Sequence, residues 1–214
     1  GPALLARACA EHGITLVHVS SDYVFDGARE LHDEGEPLSP LSVYGQSKAA
    51  GDLAVAGCPA HYVLRSSWVI GDGRNFVRTM WGLSDRVAAG ELDRVTVVDD
   101  QEGRLTFADQ MAAAIMHLLD GRAPYGTYDC TGSGAVRTWA DVARATFDAA
   151  NGNGDAVVPV STAEYYAGAR GPVAPRPAHS ALDLSKLEAT GFTPRDWEDE
   201  LAEYLGRLKG ELRG

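Results

Sequence analysis

Two residues four apart, Tyr44 and Lys48, and a hydroxyl some twenty residues upstream, Ser21, are the types and spacing in this chain most able to do chemistry. On a helix, positions i and i+4 lie on one face, about 40° apart around the axis. A tyrosine phenol is a poor proton donor or acceptor near neutrality unless a cation stabilises its phenolate. An ammonium one helical turn away supplies that cation. A hydroxyl brought beside the phenol can hold a carbonyl or alkoxide oxygen, which completes a proton-transfer site for carbonyl reduction or alcohol oxidation. Tyr-x-x-x-Lys alone occurs by chance on many solvated helix faces, so the reading rests on what surrounds it.

The surroundings must position those groups. Thr15 to Val19 is β-branched and apolar, follows Gly13, and ends in Ser20 and Ser21, which reads as a buried strand with a polar carboxyl end. In open α/β sheets ligands bind at that end. Val43 to Val55 is rich in Ala, Gln, Lys and Leu and has no proline, so it reads as a helix carrying Tyr44 and Lys48. The polar segment from Ala28 to Ser42, with Pro37 and Pro40, is long enough to cross a pocket; its acidic residues read as a solvated rim.

With 214 residues, 45% hydrophobic and 23% charged, the chain can bury a sizeable core as one or two domains. A net charge of −11 argues against nucleic acid and anionic membranes as partners. A phosphate-bearing ligand would then need local positive charge, for which Arg65, Arg74, Arg104 and Arg176 are candidates. Cys9, Cys58 and Cys130 are widely spaced and lack metal-ligand spacing, which predicts reduced thiols and a cytoplasmic location. Neither a signal peptide nor an apolar run of membrane-spanning length is present.

Further along, the pattern predicts helices over Pro2 to His12, from Asn75, over Phe107 to Leu119, from Thr138 to Ala150, and over Leu184 to Thr190 and Asp196 to Leu208. Strands are expected over His61 to Ser66, Val95 to Val98, Gly126 to Thr131 and Ala156 to Val160, the last at a sheet edge because of Pro159. Asp99 and Asp100 are adjacent and share no face, so they read as loop residues. Prolines 172, 175 and 177 make Gly168 to His179 a loop.

The strings VHVSSDYVFDG, YGQSKAAGD, LRSSWVIG and VVDDQEGRLT, in this order, resemble the dTDP-4-dehydrorhamnose reductase family of extended short-chain dehydrogenases. The resemblance implies an α/β fold: a Rossmann-like doubly wound parallel sheet over residues 1–70 and a smaller C-terminal α/β substrate lobe over 71–214, with the chain crossing back to the sheet near 95–131. It implies NADPH or NADH as cofactor and a dTDP-sugar as substrate, reduced at a C4 ketone. Tyr44 would give the proton, Lys48 would stabilise the phenolate and hold the nicotinamide ribose, and Ser21 would bind the C4 oxygen. Ser20 and Arg65 would lie on the cofactor side, where Tyr44 and Lys48 would also contact the cofactor. Asp22, Tyr23, Trp68, Asn75, Gln101, Thr106 and Arg176 would lie on the substrate side, Arg176 toward phosphate. For Trp68 and Arg176 the alternatives are a core filler and a surface arginine.

The sequence also departs from the pattern. Ile70 and Leu105 stand where family members often have tyrosine and proline. The glycine-rich phosphate loop of the cofactor site is not in the sequence, so that N-terminal half is expected upstream on the same polypeptide or on another. Related 4,6-dehydratases carry Asp-Glu after the active hydroxyl, whereas here Asp22 is followed by Tyr23, which favours reduction over elimination. A 4-epimerase and a non-catalytic subunit on this fold are the rivals. Family members can pair as homodimers, sometimes with a magnesium ion, yet the sequence shows no clear ligand cluster.

Overall fold

The computed structural model describes residues 1–213. The first helix, α1 (Pro2–His12), has proline in its first turn and ends at Gly13, whose φ of 65° gives the left-handed cap. The chain then runs through β1 (Leu16–Ser21), a 3-10 turn (Asp22–Val24), α2 (Val43–Val55) and β2 (His61–Ser66). This β1-α2-β2 unit is a parallel crossover, in register from Leu16 opposite His61 to Ser21 opposite Ser66. A third parallel strand, β7 (Gly126–Asp129), pairs with the other side of β2, giving the order β1-β2-β7. The far edge of β1 pairs with no strand among the described residues.

Between β2 and β7 lie β3 (Val69–Ile70), α3 (Phe76–Ala88), β4 (Val95–Val98), β5 (Glu102–Gly103), β6 (Thr106–Phe107) and α4 (Ala108–Asp120). After β7 come β8 (Arg137–Thr138), α5 (Trp139–Asn151), β9 (Val157–Val160), α6 (Thr162–Tyr165), α7 (Ser185–Glu188) and α8 (Trp197–Arg213). β4 pairs with β9 in parallel, with Val97 opposite Pro159, and the two-residue strands pair as β3 with β6 and β5 with β8.

Alternation along β2 explains why helices cover both faces of the sheet. Tyr62 and Leu64 point toward α4, where they meet Met111, Ala114 and Leu118 together with Tyr128 and Leu187. Arg65 points the other way, toward α2. A second core joins α3, α5 and α8 through Val77, Trp81, Val142, Leu201, Leu205 and Leu208. Most expected elements are present, with four differences. The strand from Gly126 stops at Asp129, the helix expected over Leu184 to Thr190 is a single turn, and neither α6 nor the two-residue strands were anticipated. Cys58 and Cys130 are buried, Cys9 is half-buried, and all three are free thiols. None of the described helices is long and apolar enough to cross a membrane.

Two ionic groups lie inside the sheet. Arg65 Nε donates to Asp52 Oδ2 of α2 at 3.0 Å, both side chains being buried. Removing one partner of such a pair strands the other charge, at a typical cost of about 3 to 5 kcal/mol. Asp129, opposite Arg65 in the register, is fully buried, and neither carboxyl oxygen makes a hydrogen bond among the described residues. Burial first, then the neighbouring Glu34, raises its pKa well above the usual carboxylate value. Native Asp129 therefore keeps its proton to higher pH than it does in the unfolded chain. The stability from that retained proton is complete below the unfolded value and is lost as pH rises through the native one. Asp129→Asn should accordingly gain stability relative to the parent at pH 8 compared with pH 5, by on the order of 1 kcal/mol in urea unfolding. An equal change at both pH values would contradict this account of the carboxylate.

Candidate active site

The carboxyl end of β1 turns sharply at Ser21. Its side chain caps the 3-10 turn by accepting the Tyr23 N–H at 3.2 Å, and its hydroxyl donates to Asp22 Oδ1 at 3.0 Å. Asp22 is only 3% exposed, and burial raises its pKa to about 6 against the opposing effect of the Ser180 and Ser21 hydroxyls. Ser20, one residue earlier, has a buried hydroxyl without a hydrogen bond among the described residues.

Helix α2 begins beside this turn. Ser42 caps it by accepting the Gly45 N–H at 3.1 Å. Gly45 lies so close to the turn that a Cβ there would stand 2.2 Å from the Tyr23 carbonyl oxygen. That approach sets Tyr44 edge-on to Tyr23, with ring centroids 5.6 Å apart and planes at 82°. Tyr44 is 55% exposed. One turn on, Lys48 Nζ donates to the Val19 carbonyl oxygen at 2.6 Å, tying the helix to the end of β1. Ser21, Tyr23, Tyr44 and Lys48 are thus gathered at one end of one strand.

A cavity of about 410 Å³ has Tyr23 in its wall. Its other walls include Phe76, Met80, Gln101, Trp139, Tyr165, Tyr166 and Arg176. Trp68 stacks on Trp139, with centroids 3.8 Å apart and planes at 16°, and Phe76 packs on Trp139 at 4.5 Å. Trp68 has a φ of 49°, unusual for a residue with a side chain, and its ring lies so near Gly103 that a Cβ there would be 3.0 Å away. Trp68 is therefore the support behind a cavity wall.

Arg176 hydrogen-bonds the Tyr166 hydroxyl, lies 5.5 Å from the Tyr166 ring centre, and acts electrostatically on the Tyr23 phenol. The phenol of Tyr23 is shifted upward, first by burial and then by Asp22, with Arg176 opposing. Gly27, with a φ of 73°, seats the segment that carries Arg176: a Cβ there would be 2.6 Å from Pro177 Cβ and 2.7 Å from the Ala178 nitrogen.

Of the residues the sequence proposed, Ser21, Tyr23, Tyr44 and Lys48 meet at the strand end, while Gln101 and Arg176 line the cavity with Tyr23. Gln101 is held by its amide donating to the Thr162 hydroxyl at 2.9 Å. The adjacent Asp100 accepts the Thr162 N–H and hydroxyl at 2.8 and 2.6 Å, consistent with a loop role. Other candidates have structural work. Asn75 caps α3 and donates to the Gly71 carbonyl and the Tyr204 hydroxyl. Thr106 is buried and donates to the Ser67 carbonyl at 2.5 Å. Arg65, expected on the cofactor side, is held inside by Asp52. Trp139, Tyr165 and Tyr166 were missed. Among the described residues no group of three or more His, Cys, Asp or Glu side chains is arranged to hold a metal ion.

A parallel sheet covered by helices on both faces, with its polar strand ends gathered on one side, defines the Rossmann-like class of α/β folds. Residues 1–209 match the model of the RmlD substrate binding domain, and the chain belongs to that family. The dTDP-4-dehydrorhamnose reductase of Mycolicibacterium smegmatis is 35% identical over 219 residues, spanning 98% of this chain and 63% of that protein. The crystal structure of a Clostridium acetobutylicum dTDP-4-dehydrorhamnose reductase has a TM-score of 0.86 at 35% identity, covering 97% of this chain and 71% of that one. That of the Bacillus anthracis dTDP-4-dehydrorhamnose reductase, in complex with NADP, has a TM-score of 0.84 at 33% identity, covering 96% and 70%. The chain spans slightly less than two thirds of the length of the Mycolicibacterium relative.

Gly45→Ala drives a methyl group into the Tyr23 carbonyl, so it should separate α2 from the turn. The expected result is a melting temperature lowered by several degrees, reflecting about 1 to 3 kcal/mol of overpacking. An unchanged melting temperature would mean the close approach is not a constraint.

Proposed function

We propose that this chain supplies the proton-donating and sugar-binding side of an NAD(P)H-dependent reductase. Its substrate would be a dTDP-6-deoxy-4-keto-hexose, specifically dTDP-4-dehydrorhamnose, reduced at C4 to dTDP-L-rhamnose. The observation that carries this reading is the gathering of Ser21, Tyr44 and Lys48 at the carboxyl end of β1, beside a cavity walled by Tyr23 and Arg176. The names of the relatives support the same substrate, and the NADP complex of the Bacillus anthracis relative supports the cofactor.

The residues present suit a nicotinamide nucleotide. Lys48 gives one of its three N–H donors to Val19, which leaves two for ribose hydroxyls, and the buried Ser20 hydroxyl lacks a partner among the described residues. When bound, the reduced cofactor supplies hydride to C4. Tyr44 delivers the proton to the C4 oxygen, and the Lys48 ammonium one turn away offsets the phenolate charge left behind. Ser21 holds the same oxygen. Arg176, set between Tyr166 and Tyr23, offers a cation for the diphosphate, with the aromatic walls enclosing the base and sugar. The open edge of β1 is where further parallel strands carrying a cofactor phosphate loop would pair, on the same or another polypeptide. A 4-epimerase or a non-catalytic subunit are the rival readings; Tyr23 in place of a second acid weighs against elimination chemistry.

Tyr44→Phe removes one hydroxyl from an exposed ring. In a version extended upstream to include the cofactor phosphate loop, it should cut NADPH oxidation with dTDP-4-dehydrorhamnose by about 100-fold or more while leaving the melting temperature within a degree. Undiminished turnover would remove Tyr44 from the chemistry. NADPH titration against the chain, and against a version extended upstream, tells a reductase from a non-catalytic relative.

A further inference from the structure

The hydrogen bonds at Ser21 give its hydroxyl the wrong polarity for a ketone oxygen. A hydroxyl has one proton and two lone pairs. Here the proton goes to Asp22 Oδ1 and one lone pair accepts the Tyr23 N–H. What remains is a single lone pair, and a ketone oxygen offers only lone pairs in return. An alcohol, with its own O–H, would be matched.

One proton on Asp22 reverses this. If Oδ1 carries it, Asp22 donates to Ser21 Oγ, the two lone pairs of Ser21 are filled by Asp22 and Tyr23, and the Ser21 proton is free to point at the ketone. The site is built to hold such a proton. Asp22 is almost fully buried, and its Oδ2 makes no hydrogen bond among the described residues. The groups facing it are the hydroxyls of Ser21 and Ser180, its own backbone N–H, the phenol of Tyr23, and His32. His32 is itself buried, with Nδ1 2.8 Å from Glu36 Oε2. Burial, the largest influence on Asp22, already raises its pKa to about 6.

We propose that Asp22 is a positioning residue whose proton sets the direction of the Ser21 hydroxyl: neutral Asp22 releases Ser21 to donate to a C4 ketone, and ionised Asp22 turns Ser21 into an acceptor suited to a C4 alcohol. The inference rests on the substrate reading above. The proton on Asp22 is not consumed, since the hydrogen added to oxygen comes from Tyr44.

The test is calorimetric binding of dTDP-4-dehydrorhamnose and of dTDP-L-rhamnose to this chain between pH 5 and pH 8, in the parent and in Asp22→Asn. The amide of Asp22→Asn is nearly isosteric and donates to Ser21 Oγ at every pH; circular dichroism checks that it folds. In the parent, the ketone-to-alcohol affinity ratio should fall by about tenfold per pH unit once Asp22 ionises, above about pH 6. In Asp22→Asn the ratio should stay at its low-pH value throughout, and Ser21→Ala should remove the discrimination. A flat ratio in the parent, or the same slope in Asp22→Asn, overturns the proposal. Failure of the parent to bind either sugar overturns the substrate reading. Infrared spectroscopy then still decides the Asp22 to Ser21 coupling: a buried neutral carboxyl band should appear on acidification, shift in Ser21→Ala and vanish in Asp22→Asn, and a band unmoved by Ser21→Ala refutes the coupling.

Discussion

The contact on which the site depends is backbone against backbone: the first turn of α2 rests on the carbonyl of Tyr23, with only the hydrogen of Gly45 between them. Helix and strand end could not come so near with any larger residue at that position. The Tyr23 and Tyr44 rings meet because of it, and Lys48, one turn further, reaches the Val19 carbonyl. A proton-transfer site needs its groups held within fractions of an ångström, and a stop made of main-chain atoms is stiffer than one made of side chains.

Behind that contact the sheet carries polar groups that a buried β-strand would ordinarily avoid. Arg65 and Asp52 pin α2 to β2 from inside, so the helix that presents Tyr44 is fixed at its other end as well. Arg65 Cζ also lies 5.1 Å from the Phe25 ring centre, just past the turn that holds Ser21. These ionic groups add little net stability. Their effect is on geometry, because a misplaced helix would leave a charge unpaired in the interior.

How much of this could be read in the sequence varies with the range of the interaction. The strand ending in Ser21 and the helix bearing Tyr44 and Lys48 were legible because composition and periodicity are local, and the capping box from Thr138 to Asp141 is likewise written in four consecutive residues. Trp139 was legible only as the first residue of a helix. Its place in the cavity comes from stacking on Trp68, 71 positions earlier, and no local pattern announces that. Tyr165 and Tyr166 enter the site for the same reason, brought by the pairing of β9 with β4. Arg65 shows the limit of a local reading: a cation at a strand end resembles a ligand contact, while the carboxylate that pairs with it sits on the opposing helix. The two-residue strands left no signal, since each exists only through a partner distant in sequence.

Gly27 has a consequence for how the pocket's size is governed. The segment from Arg176 to Ala178 lies directly on this glycine's α-carbon. The spacing between the Arg176 side of the cavity and its Tyr23 side is therefore set from beneath, by a residue outside the cavity lining. A larger residue at this hidden footing would lift the Arg176 segment and resize the cavity while every side chain lining it stays the same.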